Sequence, residues 1–291
     1  MRRIRTVLAA FACLAALGVP RVAQAEVKGT VGAQLAACAS SIASQEMSRG
    51  KLTVATDATV QAPWFVNNKP SNAQGFEAAL VYAIAKALRV KRSNVVWVNE
   101  PFDASFSPGP KAFDFDANEV AYSRARVRAV SFSSSYFDVS ESIVALRQNP
   151  IVAQHSSAQL RTYQYGDQIG TPGLAYIQHY IKPARPVMVY ATLDQVVTAL
   201  QRGQINALVI DTPTGQYMAS AQIVDAANRP LATVVAQFPS IGDHYGLVFR
   251  KDNPLVGCVN TALAALRTNG TLAHLARRWL GIYTKVPVIE P

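Results

Sequence analysis

The chain has 291 residues, 50% of them hydrophobic and only 16% charged, with a mean hydropathy of +0.11. That balance is too apolar for a disordered protein, and the length suffices for two compact lobes. Sixteen Gly and sixteen Pro exclude a collagenous or low-complexity chain, and the formal charge of +10 forms no Lys/Arg stripe interleaved with aromatics, which argues against nucleic acid.

Residues 1–25 read as a secretory leader. Arg2, Arg3 and Arg5 precede an unbroken apolar run over 7–19, and Ala23-Gln24-Ala25 supplies the small-x-small cleavage pattern. The run is shorter than the ~20 residues a membrane-spanning helix needs. The segment holds four Arg and no acid, so removing it lowers the formal charge by four. An exported, periplasmic or otherwise extracytoplasmic protein is expected. Two cysteines remain, Cys38 and Cys258, and in an oxidising compartment they are candidates for a disulfide tying the N-terminal extension, 26–49, to the C-terminal helical region.

Residues 31–43 suggest a short helix. KLTVAT (51–56) is β-branched and reads as a buried strand, and the Pro- and Asn-rich 59–73 as a loop. GFEAALVYAIAKALRV (75–90) is apolar nearly all round and made of helix formers, so it predicts a largely buried helix. A strand at 95–98 and a turn-rich connection at 101–110 follow. Further on come a strand at 165–170, a helix at 174–181, a strand at 187–190, a helix at 193–202 and a strand at 205–210. Helices at 255–268 and from Thr271, as cap, to 280 close the chain. Strand then helix, repeated, predicts an α/β architecture. Two linker strands, 142–147 and 245–250, would carry the chain to a second lobe and back.

Catalytic motifs are absent from the sequence: there is no GxSxG, P-loop, GxGxxG or HExxH. His155, His179, His244 and His274 lack metal-ligand spacing, so neither metal nor cofactor is expected. Charged residues at strand ends are more informative, because open α/β sheets bind ligands outside the carboxyl ends of their strands. Asp57 follows KLTVAT directly and Asp211 follows INALVI directly. Each either caps a turn or faces a ligand. Arg124, Arg126 and Arg128 precede FSSSY (132–136), and a guanidinium is the natural partner for a carboxylate, but spacing does not choose among the three. Thr171-Pro172-Gly173 opens a helix whose first N–H groups either cradle a carboxylate or simply start the helix.

Six stretches in order resemble the family 3 solute-binding proteins, the extracellular amino-acid receptors of ABC importers. They are GKLTVATDAT (50–59), GFEAALVYAIAKAL (75–88), FDFDANEVAYSRARVRAVSFSSSYF (113–137), QIGTPGLAYI (168–177), GQINALVIDTPTGQYM (203–218) and NTALAALRTNGTLAHLARRWLG (260–281). The resemblance implies a type II periplasmic-binding-protein-like fold, with 50–145 and 246–291 as one lobe, 146–245 as the other, and two crossover strands as hinge. It implies a monomer that closes on an amino acid or close analogue and delivers it to an ABC permease. It assigns Arg126 to the ligand α-carboxylate, Asp57 and Asp211 to its α-ammonium, and Thr171 to a second carboxylate contact.

The sequence also departs from the family pattern. Ala121 stands where a Ser or Thr is usual, Pro172 replaces the second Thr of a helix-opening pair, and Ala79 replaces an acid. The usual aromatic lid falls on Val60, with Trp64 as its displaced replacement, and Glu119 stands where a small or amide residue is usual. Arg126, Asp57 and Asp211 keep the zwitterion's charges, while Ala121 and Pro172 lose neutral hydrogen bonds. Glu119 facing the cleft would favour a cationic side chain; paired to Arg124 or Arg128 it would be structural. An alternative on the same fold is a secreted arogenate or prephenate dehydratase, with Glu119 as general acid.

Overall fold

The computed structural model describes residues 21–281 and Val288, except 45, 47, 155 and 241. Residues 1–20 of the expected leader lie outside the described residues, as do 282–287 and 289–291 of the expected first lobe. No helix among the described residues is long and apolar enough to cross a membrane.

Two sheets organise the chain. The first has five strands in the order Val95–Asn99, Leu52–Thr56, Phe115–Asp116, Val248–Arg250, Val130–Phe132. Its first three strands are parallel, and Val248–Arg250 runs against both its neighbours. Helices Phe76–Ala87, Leu255–Thr268 and Thr271–Leu280 contribute to one apolar core with this sheet, built on residues such as Leu52, Val54, Phe76, Ile84 and Val259. The second sheet is antiparallel, in the order Ala232–Gln237, Glu141–Leu146, Ala207–Asp211. A parallel pair, Gly166–Gln168 with Met188–Tyr190, adjoins it through a bridge between Tyr165 and Ala207.

The strands expected as linkers are sheet strands. Glu141–Leu146 lies at the centre of the second sheet, and Val248–Arg250 lies inside the first. The chain instead crosses between sheets where Phe137–Asp138 pairs antiparallel with His244–Tyr245. Tyr245 falls at the start of the second expected linker, while an apolar strand composition does not distinguish a hinge from a sheet centre.

The N-terminal helix spans Arg21–Ser41 rather than 31–43 and packs on Leu255–Thr268. There Cys38 is bonded to Cys258, with their Cα atoms 5.5 Å apart. Gly270, at φ 80°, precedes the last helix, so Thr271 is its first residue and not its cap. The helix Leu193–Gln201 carries a complete capping box between Thr192 and Gln195.

Candidate ligand-binding site

A cavity of about 150 Å³ opens between the ends of the two sheets. Strand direction decides what lines it. Leu52–Thr56 and Phe115–Asp116 run parallel, so Asp57 and the Asn118–Glu119 turn leave the first sheet at one end. On the second sheet Asp211 ends its strand, and Glu141 begins the antiparallel neighbour directly opposite it in register. Asp167 comes from the adjoining Gly166–Gln168 strand, and Asp194 from the helix that follows Thr192. Six carboxylates therefore line the cavity, and among its lining residues there is no Lys, Arg or His.

Each acid is held differently. Asp211 accepts from the Thr214 amide at 2.9 Å, capping the helix Thr212–Tyr217, and is hydrogen-bonded by Tyr245. Burial nevertheless pushes its carboxyl up to about 6. Asp167 accepts from the amides of Gln168 at 2.7 Å and Val209 at 3.3 Å, yet burial raises it to about 7. Gly173 lets the helix Pro172–Tyr176 approach the strand Ala207–Asp211, since a Cβ there would collide with the Val209 carbonyl oxygen. Asp57 accepts from the Ala58 amide at 2.7 Å and is raised by burial, then by the charges of Asp194 and Asp103.

Glu119 sits at φ 53°, and its amide donates to Glu77 Oε1 at 2.9 Å. Glu77 is fully buried, also accepts from the Tyr136 hydroxyl, and is pushed by burial to about 7. The Glu119 carboxylate is met by the Thr214 hydroxyl at 3.5 Å, not by Arg124 or Arg128. Burial, then repulsion from Asp211 and Glu77, holds it well above the ordinary carboxylate range. Glu141 is 4% exposed, and neither of its oxygens has a hydrogen-bond partner in the protein. It too is raised well above its usual range, first by burial and then by Asp211 and Asp167.

Arg126 lies outside the acid-lined cavity, in an adjacent one of about 320 Å³ shared with Ala121, Gly170, Thr171 and Pro172. Its guanidinium donates to the Ala121 carbonyl at 2.7 Å and to the Gly170 carbonyl at 2.5 Å, and it stacks 3.8 Å from the Phe106 ring centre. Burial lowers its pKa to about 10. The Thr171 hydroxyl donates to the Gln168 carbonyl at 2.9 Å and accepts from the Leu174 amide at 3.2 Å, so it serves as the helix cap.

Trp64 is not a lid. It is 0% exposed, edge-on to Phe76, Phe137 and Tyr245, and its backbone carbonyl receives the Glu77 amide at the start of the helix Phe76–Ala87. Val60, at the usual aromatic position, does line the cavity. Of the expected residues, Asp57, Glu119, Thr171, Pro172 and Asp211 meet at one cavity, while Ala121 and Arg126 join Thr171 and Pro172 at the next. Glu141, Asp167, Asp194 and Tyr245 line the first of these beyond the expected residues. A lone acid opening ESIVAL, or following Tyr165-Gly166 in a strand, is the signal that marks the first two.

Two α/β lobes joined by a paired crossover, with a polar cavity at their junction, define a protein that encloses a small solute. The sequence pattern of the bacterial extracellular solute-binding proteins, family 3, matches residues 52–282, and the chain belongs to that family. It is 25% identical over 229 residues to the arginine-binding periplasmic protein of Mannheimia haemolytica, covering 75% of this chain and 87% of that one. It is 26% identical over 230 residues to the lysine/arginine/ornithine-binding periplasmic protein of Escherichia coli (strain K12), covering 78% and 86%. Among solved structures, an ancestral arginine-binding protein bound to glutamine superposes with a TM-score of 0.67 at 25% identity, over 80% of this chain and 99% of that one. An ancestral amino acid-binding protein described as a precursor of cyclohexadienyl dehydratase gives 0.64 at 25% identity, over 80% and 96%.

Proposed function

We propose that this protein is the extracytoplasmic receptor of an ABC importer and captures a positively charged amino acid or close analogue between its lobes. The observation that carries this reading is the junction cavity with six carboxylates and no basic residue on its walls. Burying ionised carboxylates without a partner is costly, and a cationic ligand removes that cost. The named relatives that bind arginine, lysine or ornithine agree with it. Asp57 and Glu119 act from the first lobe and Asp211 from the second. Arg126, which the resemblance assigns to a ligand carboxylate, joins the lobes through Ala121 and Gly170. The lobes divide at the Phe137–Asp138 and His244–Tyr245 crossing, residues 1–25 direct export, and the monomer hands its ligand to the permease.

The dehydratase reading fits less well. Prephenate is a dianion and arogenate a net monoanion, and acidic walls disfavour a net negative ligand where they favour a net positive amino acid.

A thermal-shift screen against the amino acids, organic cations and organic acids tests the proposal. Ligand at 100 times its Kd adds ~2.7 kcal/mol of stability, so stabilisation is expected from lysine- or arginine-like cations. Stabilisation by neutral or anionic compounds alone would defeat it.

A further inference from the structure

We infer that the ligand is a carboxylate-free organic dication, an alkyl diamine or guanidinoalkylamine, with Glu141 as one of its anchors. The inference rests on the reading of a cation receptor given above and narrows its ligand class.

One half of the argument concerns the carboxylate. A zwitterion bound in this cavity needs donors for its anionic end. The groups the resemblance assigns to it are held elsewhere or missing, which leaves the buried Asn118 amide nitrogen as an uncharged donor without a partner. Arg126 lies in the adjacent cavity, where its guanidinium donates from Nη1 to the Ala121 carbonyl and from Nη2 to the Gly170 carbonyl, with its face on Phe106. The Thr171 hydroxyl caps its own helix, Pro172 has no N–H, and Ala121 has no hydroxyl. No basic residue lines the acidic cavity itself. A ligand carboxylate would enter among six acidic side chains with no cationic side chain on the same walls.

The other half concerns the cations. Asp57 and Glu119 face the cavity from the first sheet, and Glu141 and Asp211 from the second with Asp167 from the strand pair adjoining it, so positive charge is called for on both sides. Glu141 points most directly to a ligand. It is buried, lies opposite Asp211 in register, and neither carboxylate oxygen is satisfied by the protein. Its own neighbours, Asp211, Asp167 and Asp243, are all acids, so nothing around it supplies the missing charge. Among the described residues no group of His, Cys, Asp or Glu is arranged to hold a metal ion, which leaves an organic cation with N–H donors. A zwitterionic basic amino acid brings a net single positive charge. Its decarboxylated counterpart brings two and no anion.

Isothermal titration of the purified protein with matched pairs isolates the carboxylate: lysine against 1,5-diaminopentane, ornithine against 1,4-diaminobutane, and arginine against agmatine. At least tenfold tighter binding of the carboxylate-free member is expected in the pair that binds best. A smaller ratio, or one favouring the amino acid, overturns this inference and leaves the cation receptor standing. Silence toward all six compounds overturns both. Glu141→Gln should weaken the preferred cation at least tenfold, and unchanged affinity in that variant would remove Glu141 from the site.

Discussion

The Trp64 indole nitrogen donates to Thr214 Oγ1 at 2.7 Å, joining the core of the first lobe to the helix that Asp211 caps in the second. The same hydroxyl reaches Glu119 at 3.5 Å, so one threonine connects a core ring, a helix start and a cavity acid. This explains why an aromatic near the usual lid position stays buried.

Removing either partner of that bond should therefore cost stability. Thr214→Val preserves shape but leaves a buried N–H unmet, a loss of about 1–3 kcal/mol. Trp64→Phe removes the donor and part of the packing, with a similar or larger loss. Because the two share one interaction, the double variant should lose less than the sum of the singles. Urea unfolding of the four proteins measures this, and strict additivity would mean that the bond contributes nothing.

The Cys38–Cys258 bond closes a loop with a sequence separation of 220. Such closure restricts the unfolded chain and is worth about 2–4 kcal/mol. Reductant, or Cys258→Ser, should lower Tm by roughly 5–15 °C in a chain of this size. No residue lining the cavity belongs to the two helices the bond joins, so ligand affinity should change less than about twofold. A thermal melt with and without reductant, paired with a titration, separates the two effects.

Much of the fold is legible in the residues. The helices at 255–268 and 271–280 follow from apolar spacing and the Asn269-Gly270 break; the first stands at the expected limits, and the second takes its expected cap, Thr271, as its first residue. Phe115–Asp116, Val130–Phe132 and Phe137–Asp138 are only two or three residues long, too short to show a period of two. Ala232–Gln237 has the composition of a strand but follows a turn-rich stretch with no break that marks where it starts.

The site divides in the same way. Asp57 and Asp211 are visible because one follows and the other ends a strand at its carboxyl end. Glu141 reaches the same cavity only because its strand runs the other way, and a one-dimensional sequence carries no strand direction. Arg126 could be singled out by resemblance, but its bonds to Ala121 and Gly170 depend on how the lobes meet.

Asp211 has two jobs that a single substitution can separate. It caps the Thr212–Tyr217 helix and faces the cavity. Asn caps a helix as well as Asp does, so Asp211→Asn should leave Tm nearly unchanged. Truncating one partner of a buried charge pair costs ~2–5 kcal/mol, which predicts a loss of cation affinity of roughly thirtyfold or more. Asp211→Ala should lose both cap and affinity. Equal Tm losses in the Asn and Ala variants would show that the charge, not the cap, supports the fold.

The buried acids also make opposite pH dependences for stability and binding. Glu77 and Asp167 titrate at about 7 and Asp211 at about 6 in the folded protein, against about 4 in an unfolded chain. Between pH 4 and 7 the folded state thus holds more protons than the unfolded one, and the ligand-free protein should lose stability as pH rises through that window. A cation favours the ionised carboxylates and drives those protons off, so its affinity should rise over the same window, by about tenfold per pH unit for each proton released. Melting curves at pH 5 and pH 8 should show the ligand-free Tm falling and the ligand-induced shift growing. Titration in two buffers of different ionisation enthalpy counts the protons. An affinity that stays flat from pH 5 to pH 8 would mean that the ligand's positive charge does not meet these carboxylates.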